Sequence, residues 1–261
     1  VKPDGLAFGG STDDPFHVLS VGSPPRAQGT QGTSFAAPYA LRAGISGSIQ
    51  LGPSVAPLAL RALLIHRADA GQHERPDVGW GRFECDPHRL ITTDDNEAIV
   101  IFQGTLPVGI HLRAPIPLPR AGLSGLVTIS ATLVISPEVD PEHPGAYTRS
   151  GLEVKFRPHE DKFTTNSKTG ATSSHATTKS FFSASNLYNV AEFEVREGGH
   201  KWEPCMRCSQ NLRADSLKNP CFDIYYHHRA GGTEATSPQP IPYALLVGVR
   251  APKVANLYNR V

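Results

Sequence analysis

The chain has 261 residues, room for one large domain or two ordinary ones. Its 25 basic and 24 acidic residues leave a formal charge of +1, which supplies no field to draw nucleic acid or an anionic membrane as the main partner. No apolar run approaches the roughly 20 residues that a membrane-spanning helix requires.

In chain order, the first texture covers about residues 1–95. Residue 1 is Val and the only Met is Met206, which reads as a processed product or a fragment. A Gly/Pro-rich entry leads into "TSFAAPYALRAGISGSI", which predicts a helix starting near Ser34. Its Ala36, Ala37, Ala40, Ala43 and Gly44 give a small-residue surface, and Pro38 falls within the first turns, where a missing N–H costs little. A second helix is predicted from Ser54, as cap, through "VAPLALRALLIHRADA", with Pro57 in its first turn and Gly71 as its stop.

From about Glu97 the period changes to two. In "GLVTISATLVI" the residues Val127, Ile129, Ala131, Leu133 and Ile135 share a face. The same alternation places Leu152, Val154 and Phe156 together, then Phe193 with Val195, then Phe222, Ile224 and Tyr226, and finally Leu245, Val247 and Val249. With "AIVIF" and "GIHLRA" there are at least seven strand candidates, many separated by Pro/Gly-rich turns. Their apolar faces need a second sheet for cover, so residues 96–261 predict an all-β antiparallel sandwich or jelly roll. A polar, Ser/Thr-rich stretch at about 160–188 reads as a flexible insertion.

Four Cys in a chain of this length do not make a disulfide scaffold, and a reducing compartment is the simpler reading. Cys205-x-x-Cys208, with Cys221 following and His200, His227 and His228 nearby, has the residue types of a zinc site. A second ligand pair is absent, so zinc on Cys205, Cys208 and Cys221 is the lesser reading, beside a redox pair or cysteines without function. No metal is expected.

Ser34 is the candidate for chemistry. A hydroxyl nucleophile needs a general base, and its oxyanion product needs hydrogen-bond donors. A helix start offers unpaired N–H groups and the positive end of the dipole. By position and spacing alone, the cap of an ordinary buried helix is the leading reading of Ser34.

Three segments then carry a resemblance. "GTSFAAPYALRAG" resembles the nucleophile segment of the subtilisin-like serine proteases, with Gly32, Thr33, Ser34, Ala36 and Pro38 matching and Tyr39 standing where that family usually has His. "VKPDGLAFGG" resembles the stretch that precedes the nucleophile, with Phe8 in place of the usual Pro. "VGWGRF" resembles the strand that closes the catalytic domain. The resemblance covers about the first 95 residues and implies an α/β fold, the C-terminal part of a subtilisin-like catalytic domain. It also implies a serine endopeptidase with Ser34 as the acyl-enzyme nucleophile and protein or peptide substrates. No cofactor is implied. In this family the triad order is Asp, His, Ser, so the acid, the base and the side-chain oxyanion donor are expected upstream of Val1, and the chain alone is expected to be inactive. His17, beside Asp13 and Asp14, has no matching context, and neither have His66, His73, His88 and His111.

The second half, through "GLVTISATLVISPEVDPEHPGAYTRSGLEVKFRPHE", "FDIYYHHRAG" and "IPYALLVGVRAPKVANLYNRV", is similar to the C-terminal region of bacterial subtilases linked to phage defence and encoded beside an AAA-type ATPase. That resemblance implies a cytoplasmic protease with a β-sandwich appendage and an ATPase partner. The competing expectation is a non-catalytic binding module whose β domain recognises a protein or a carbohydrate.

Overall fold

The computed structural model describes residues 3–22, 24–120, 122–143, 147–182, 201–229 and 238–261. The chain divides into two compact units, Val1–Thr92 and Thr93–Val261.

In the first unit, β1 (Phe16–Ser20) and β2 (Arg26–Thr30) form an antiparallel hairpin with Phe16 opposite Thr30. It feeds α1 (Thr33–Leu51), which ends at Gly52, where φ is +84°. The small residues of α1 permit close packing. Ala43 is fully buried, and a Cβ placed on Gly47 would lie 3.4 Å from Leu90 Cδ2. Leu90 belongs to the short α4 (Pro87–Ile91), which Asp86 caps by accepting from the amides of His88 and Arg89.

The second long helix, α2 (Pro57–His66), is shorter than the sequence predicts. Its cap position is Ala56, not Ser54. Pro57 takes the first helical position, and the residue before a proline is driven into extended geometry. Ala56 accordingly has ψ near 152°, so the helix begins no earlier. Ala59, Ala62, Leu63 and Ile65 form its buried face. The chain leaves the helix at Arg67, and Gly71 makes a later turn with φ of +57°. A single turn of helix follows, α3 (Arg75–Val78).

The second unit is antiparallel and β-rich. One sheet orders its strands β10 (Cys205–Arg213), β5 (Leu126–Ile135), β12 (Ile241–Arg250) and β3 (Glu97–Leu106). The other orders β4 (His111–Pro115), β11 (Cys221–His228), β6 (Ser150–Arg157) and β9 (Lys179–Ser180). Every neighbouring pair in both sheets is antiparallel. The two sheets share one apolar core. Val127, Ile129, Ala131, Leu133 and Ile135 enter it from β5, and Leu245, Val247 and Val249 from β12. Leu152 and Phe156 enter from β6, and Phe222 and Ile224 from β11. These are the residues that the period-two pattern groups on single faces. Central β12 is buried on both faces, with Ala244 and Leu246 also fully covered, which is why "ALLVGV" reads as a continuous apolar run.

The described part of the polar stretch is hydrogen-bonded rather than plain loop. β7 (Phe163–Thr165) pairs with β8 (Thr172–Ala176) around a turn in which Asn166 Oδ1 accepts from Lys168 and Thr169 amides. Hydroxyl pairs Thr165–Thr172 and Thr164–Thr177 tie its sides together. Threonine pairs can support a hairpin where aliphatic residues are missing. The candidate strand with Phe193 and Val195 lies outside the described residues.

Candidate functional site

Ser34 is the second residue of α1 and is exposed. Its position leaves its own N–H without an intrahelical acceptor, and among the described residues that N–H has no other partner. Pro38, four residues on, has no N–H to give to the Ser34 carbonyl. The start of the helix presents the unpaired Ser34 N–H beside the Ser34 hydroxyl, at the positive end of a 19-residue helix.

The three segments that carry the family resemblance meet in space. Gly32 donates its N–H to the carbonyl of Gly9 at 2.8 Å, which joins the segment that holds Ser34 to "VKPDGLAFGG". Leu6 lies in a parallel bridge with Arg82; its N–H donates to Gly81 O and its carbonyl accepts from Phe83, both at 2.8 Å. Trp80 donates to Asp4 O at 2.9 Å. These approaches require glycine. A Cβ on Gly79 would lie 2.1 Å from Pro3 O, and one on Gly81 would lie 2.2 Å from the Asp69 carbonyl carbon. Both glycines have positive φ, +64° and +108°. Arg61 closes the arrangement with an ion pair to Asp4 at 3.1 Å.

The two departures from the family pattern also meet. Phe8 packs on Phe16 with ring centroids 5.5 Å apart, and Tyr39 meets Phe16 edge-on at 5.9 Å. Phe35, next to Ser34, stacks on the same ring at 5.8 Å. Phe16 is thus the hub of an aromatic cluster that ties the entry segment to the first two turns of α1.

Among the described residues no base accompanies Ser34. Among the described residues its hydroxyl makes no hydrogen bond to a His or a carboxylate. His17 is exposed on β1, His73 and His88 are exposed in the first unit, and His66 is buried at the end of α2. His111 belongs to the other unit, on β4.

The cysteines do not converge. The Cys205-x-x-Cys208 pair lies on strand β10, not in a short loop, and residues three apart on a strand point to opposite faces. Cys208 packs against the core with Met206, so Cys205 faces away from it. Cys221 stands on the other sheet, opposite Pro115 and Arg157. Burial pushes the Cys208 and Cys221 thiols up from their ordinary range, against the thiolate form that a metal needs. Among the described residues no three metal-ligating side chains form a group. His200 lies outside the described residues.

An ionic cluster in the second unit was not singled out from the sequence. Asp223 on β11 is 1% exposed and accepts from both Arg113 on β4 and Arg157 on β6. Arg157 also donates to the Ala176 carbonyl. Arg113 is the direct cross-strand neighbour of Asp223. The signal was a charge on the face of β11 opposite Phe222 and Ile224, which a periodicity reading assigns to solvent.

No family model and no curated protein matches the chain. Among solved structures, similar chains include the infectious bursal disease virus VP2 subviral particle, at 13% identity and a TM-score of 0.30. That match covers 60% of this chain and 33% of the capsid chain. The structure of the Gx strain of the same virus is 12% identical, with a TM-score of 0.31, over 63% of this chain and 35% of that one. The chain therefore spans about a third of the length of the capsid chains it matches. No helix among the described residues is long and apolar enough to cross a membrane.

Proposed function

We propose that the chain is the C-terminal part of a subtilisin-like serine endopeptidase, with Ser34 as nucleophile and the β-rich second unit as an appended sandwich domain. The observation that carries this reading is the convergence of three separately recognised segments. Gly9 meets Gly32, Leu6 meets Gly81 and Phe83, and the exposed Ser34 opens α1 with a free N–H at its side.

In this reading the Ser34 hydroxyl attacks the carbonyl carbon of a peptide bond and gives its proton to a histidine supplied from upstream of Val1. The Ser34 N–H donates to the oxyanion of the tetrahedral intermediate. The histidine then protonates the leaving amine, and water releases the acyl group from Ser34. The C-terminal resemblance adds a bacterial cytoplasmic setting, a role in phage defence and an AAA-type ATPase partner.

The test is peptide hydrolysis by the longer gene product beside its Ser34→Ala variant. Loss of a triad nucleophile is expected to lower the turnover by roughly 10³-fold or more while the fold is kept. Unchanged hydrolysis in the variant, or an upstream sequence with no Asp and His in subtilase context, contradicts the reading.

A further inference from the structure

We propose that the second unit carries a binding cleft for the C-terminus of a peptide that ends in an apolar residue. The cleft, about 790 Å³ in volume, opens at the end of the first sheet between three walls. Leu123 to Leu126 form the first, Arg213 to Asp215 the second, and Pro252 with Lys253 the third.

Each wall is fixed by hydrogen bonds to backbone carbonyls. Ala214 donates its N–H to Gly125 O at 2.9 Å, which clamps the first wall to the second. Ser216 Oγ donates to the Arg213 carbonyl at 2.7 Å, and Val254 donates to Ala251 O at 2.9 Å across the third wall. Gly125 has a φ of +78°, and a Cβ there would lie 3.3 Å from Lys253 Cε. The glycine therefore lets the lysine stem lie along the loop. Little of the ordering that a ligand must impose remains to be done.

The lining combines two chemistries. Leu123, Leu126 and Pro252 give apolar surface, and Leu126 is 63% exposed beside its cross-strand partner Arg213. Arg213 and Lys253 add two cations to this lining, and among the described residues neither side chain has a hydrogen-bond or ion-pair partner. Asp215 is the one carboxylate of the lining, which leaves a net charge of one positive. An occupant that covers the leucines and matches that charge has an apolar side chain and one carboxylate on the same residue. A free peptide C-terminus provides both, and the guanidinium fork of Arg213 fits a carboxylate. The inference is independent of Ser34, because it concerns binding and not hydrolysis.

The experiment is fluorescence polarisation of the full chain with a labelled pentapeptide ending in Leu as the free acid, beside the same peptide ending in an amide. The acid form is expected to bind about tenfold more tightly than the amide. Arg213→Gln and Lys253→Gln are each expected to weaken it about fivefold, in proportion to an exposed charge pair. Leu126→Ser, a change at an exposed position, is expected to weaken acid and amide alike. Equal affinity for acid and amide, no binding of either, or glutamine variants that bind as the parent does would each overturn the proposal.

Discussion

Arg157 and Asp223 meet within the second sheet at 2.8 Å, Nη2 to Oδ2, with their side chains 9% and 1% exposed. Arg113 adds a second guanidinium at 2.7 Å from the same carboxylate. Three of the four strands of this sheet, β4, β11 and β6, are thereby joined by side chains as well as by backbone. Burial alone would push the Asp223 carboxyl up, but the hydrogen bonds from Arg113 and Arg157 outweigh it and hold the group below its ordinary value.

The first prediction follows from that balance. Asp223→Asn leaves a buried Arg157 without its charge partner and is expected to cost about 3 to 5 kcal/mol at neutral pH. A carboxylate depressed in the folded state stabilises it above the unfolded pKa of about 3.9. That contribution is lost as pH falls through the lower folded value. The difference between parent and variant in urea unfolding is therefore expected to shrink below about pH 4. A difference that stays constant from pH 7 to pH 2 would count against the network.

The same cluster shows where reading the sequence succeeds and where it stops. The inward faces of β5, β6, β11 and β12 were legible because alternation maps directly onto burial. Strand β10 was not, because its core-facing row of Met206, Cys208, Gln210 and Leu212 is interrupted by Gln210. That side chain hydrogen-bonds the carbonyls of Ser180 and Phe181, a partner set that no local pattern announces. The Cys205-x-x-Cys208 spacing offered a zinc or redox pair for the same reason, because nothing local marked it as a strand. Asp223 was passed over because its two arginines lie 110 and 66 residues away. The helix that starts beside Ser34 was legible from its small-residue run, and the glycines that let its neighbours approach could be placed only once the backbone was seen.

Gly81 gives the second prediction. Its positive φ and a 2.2 Å approach to the Asp69 backbone leave no room for a side chain. Gly81→Ala is expected to cost more than about 2 kcal/mol. Gly71→Ala, where the nearest atom is 4.0 Å away, should show only the strain of its positive φ, about 1 kcal/mol. Hydrogen exchange at the Leu6, Asp69 and Phe83 amides reads the difference. Equal protection in the two variants would contradict the close-approach argument.

A third prediction concerns the second unit by itself. Its core takes residues from both four-stranded sheets, with Phe156, Phe222, Leu133 and Leu245 all at most 1% exposed, and 169 residues suffice for an independent core. Residues 93–261 expressed alone are expected to unfold in one cooperative transition with a β-type circular dichroism spectrum. A broad, non-cooperative melt would mean that this core needs the first unit.

The proposed role of Ser34 as nucleophile is tested most directly by a fluorophosphonate probe followed by peptide mass mapping. On the proposed reading, a gene product that includes an upstream triad is expected to carry one adduct, on Ser34, and to lose it in Ser34→Ala. The 261-residue chain is expected to stay unlabelled, because a serine hydroxyl without a base is an ordinary alcohol. An adduct at another residue of the longer product, or none at all, would contradict the assignment of Ser34. A labelled Ser34 in the 261-residue chain would contradict the claim that its base comes from upstream.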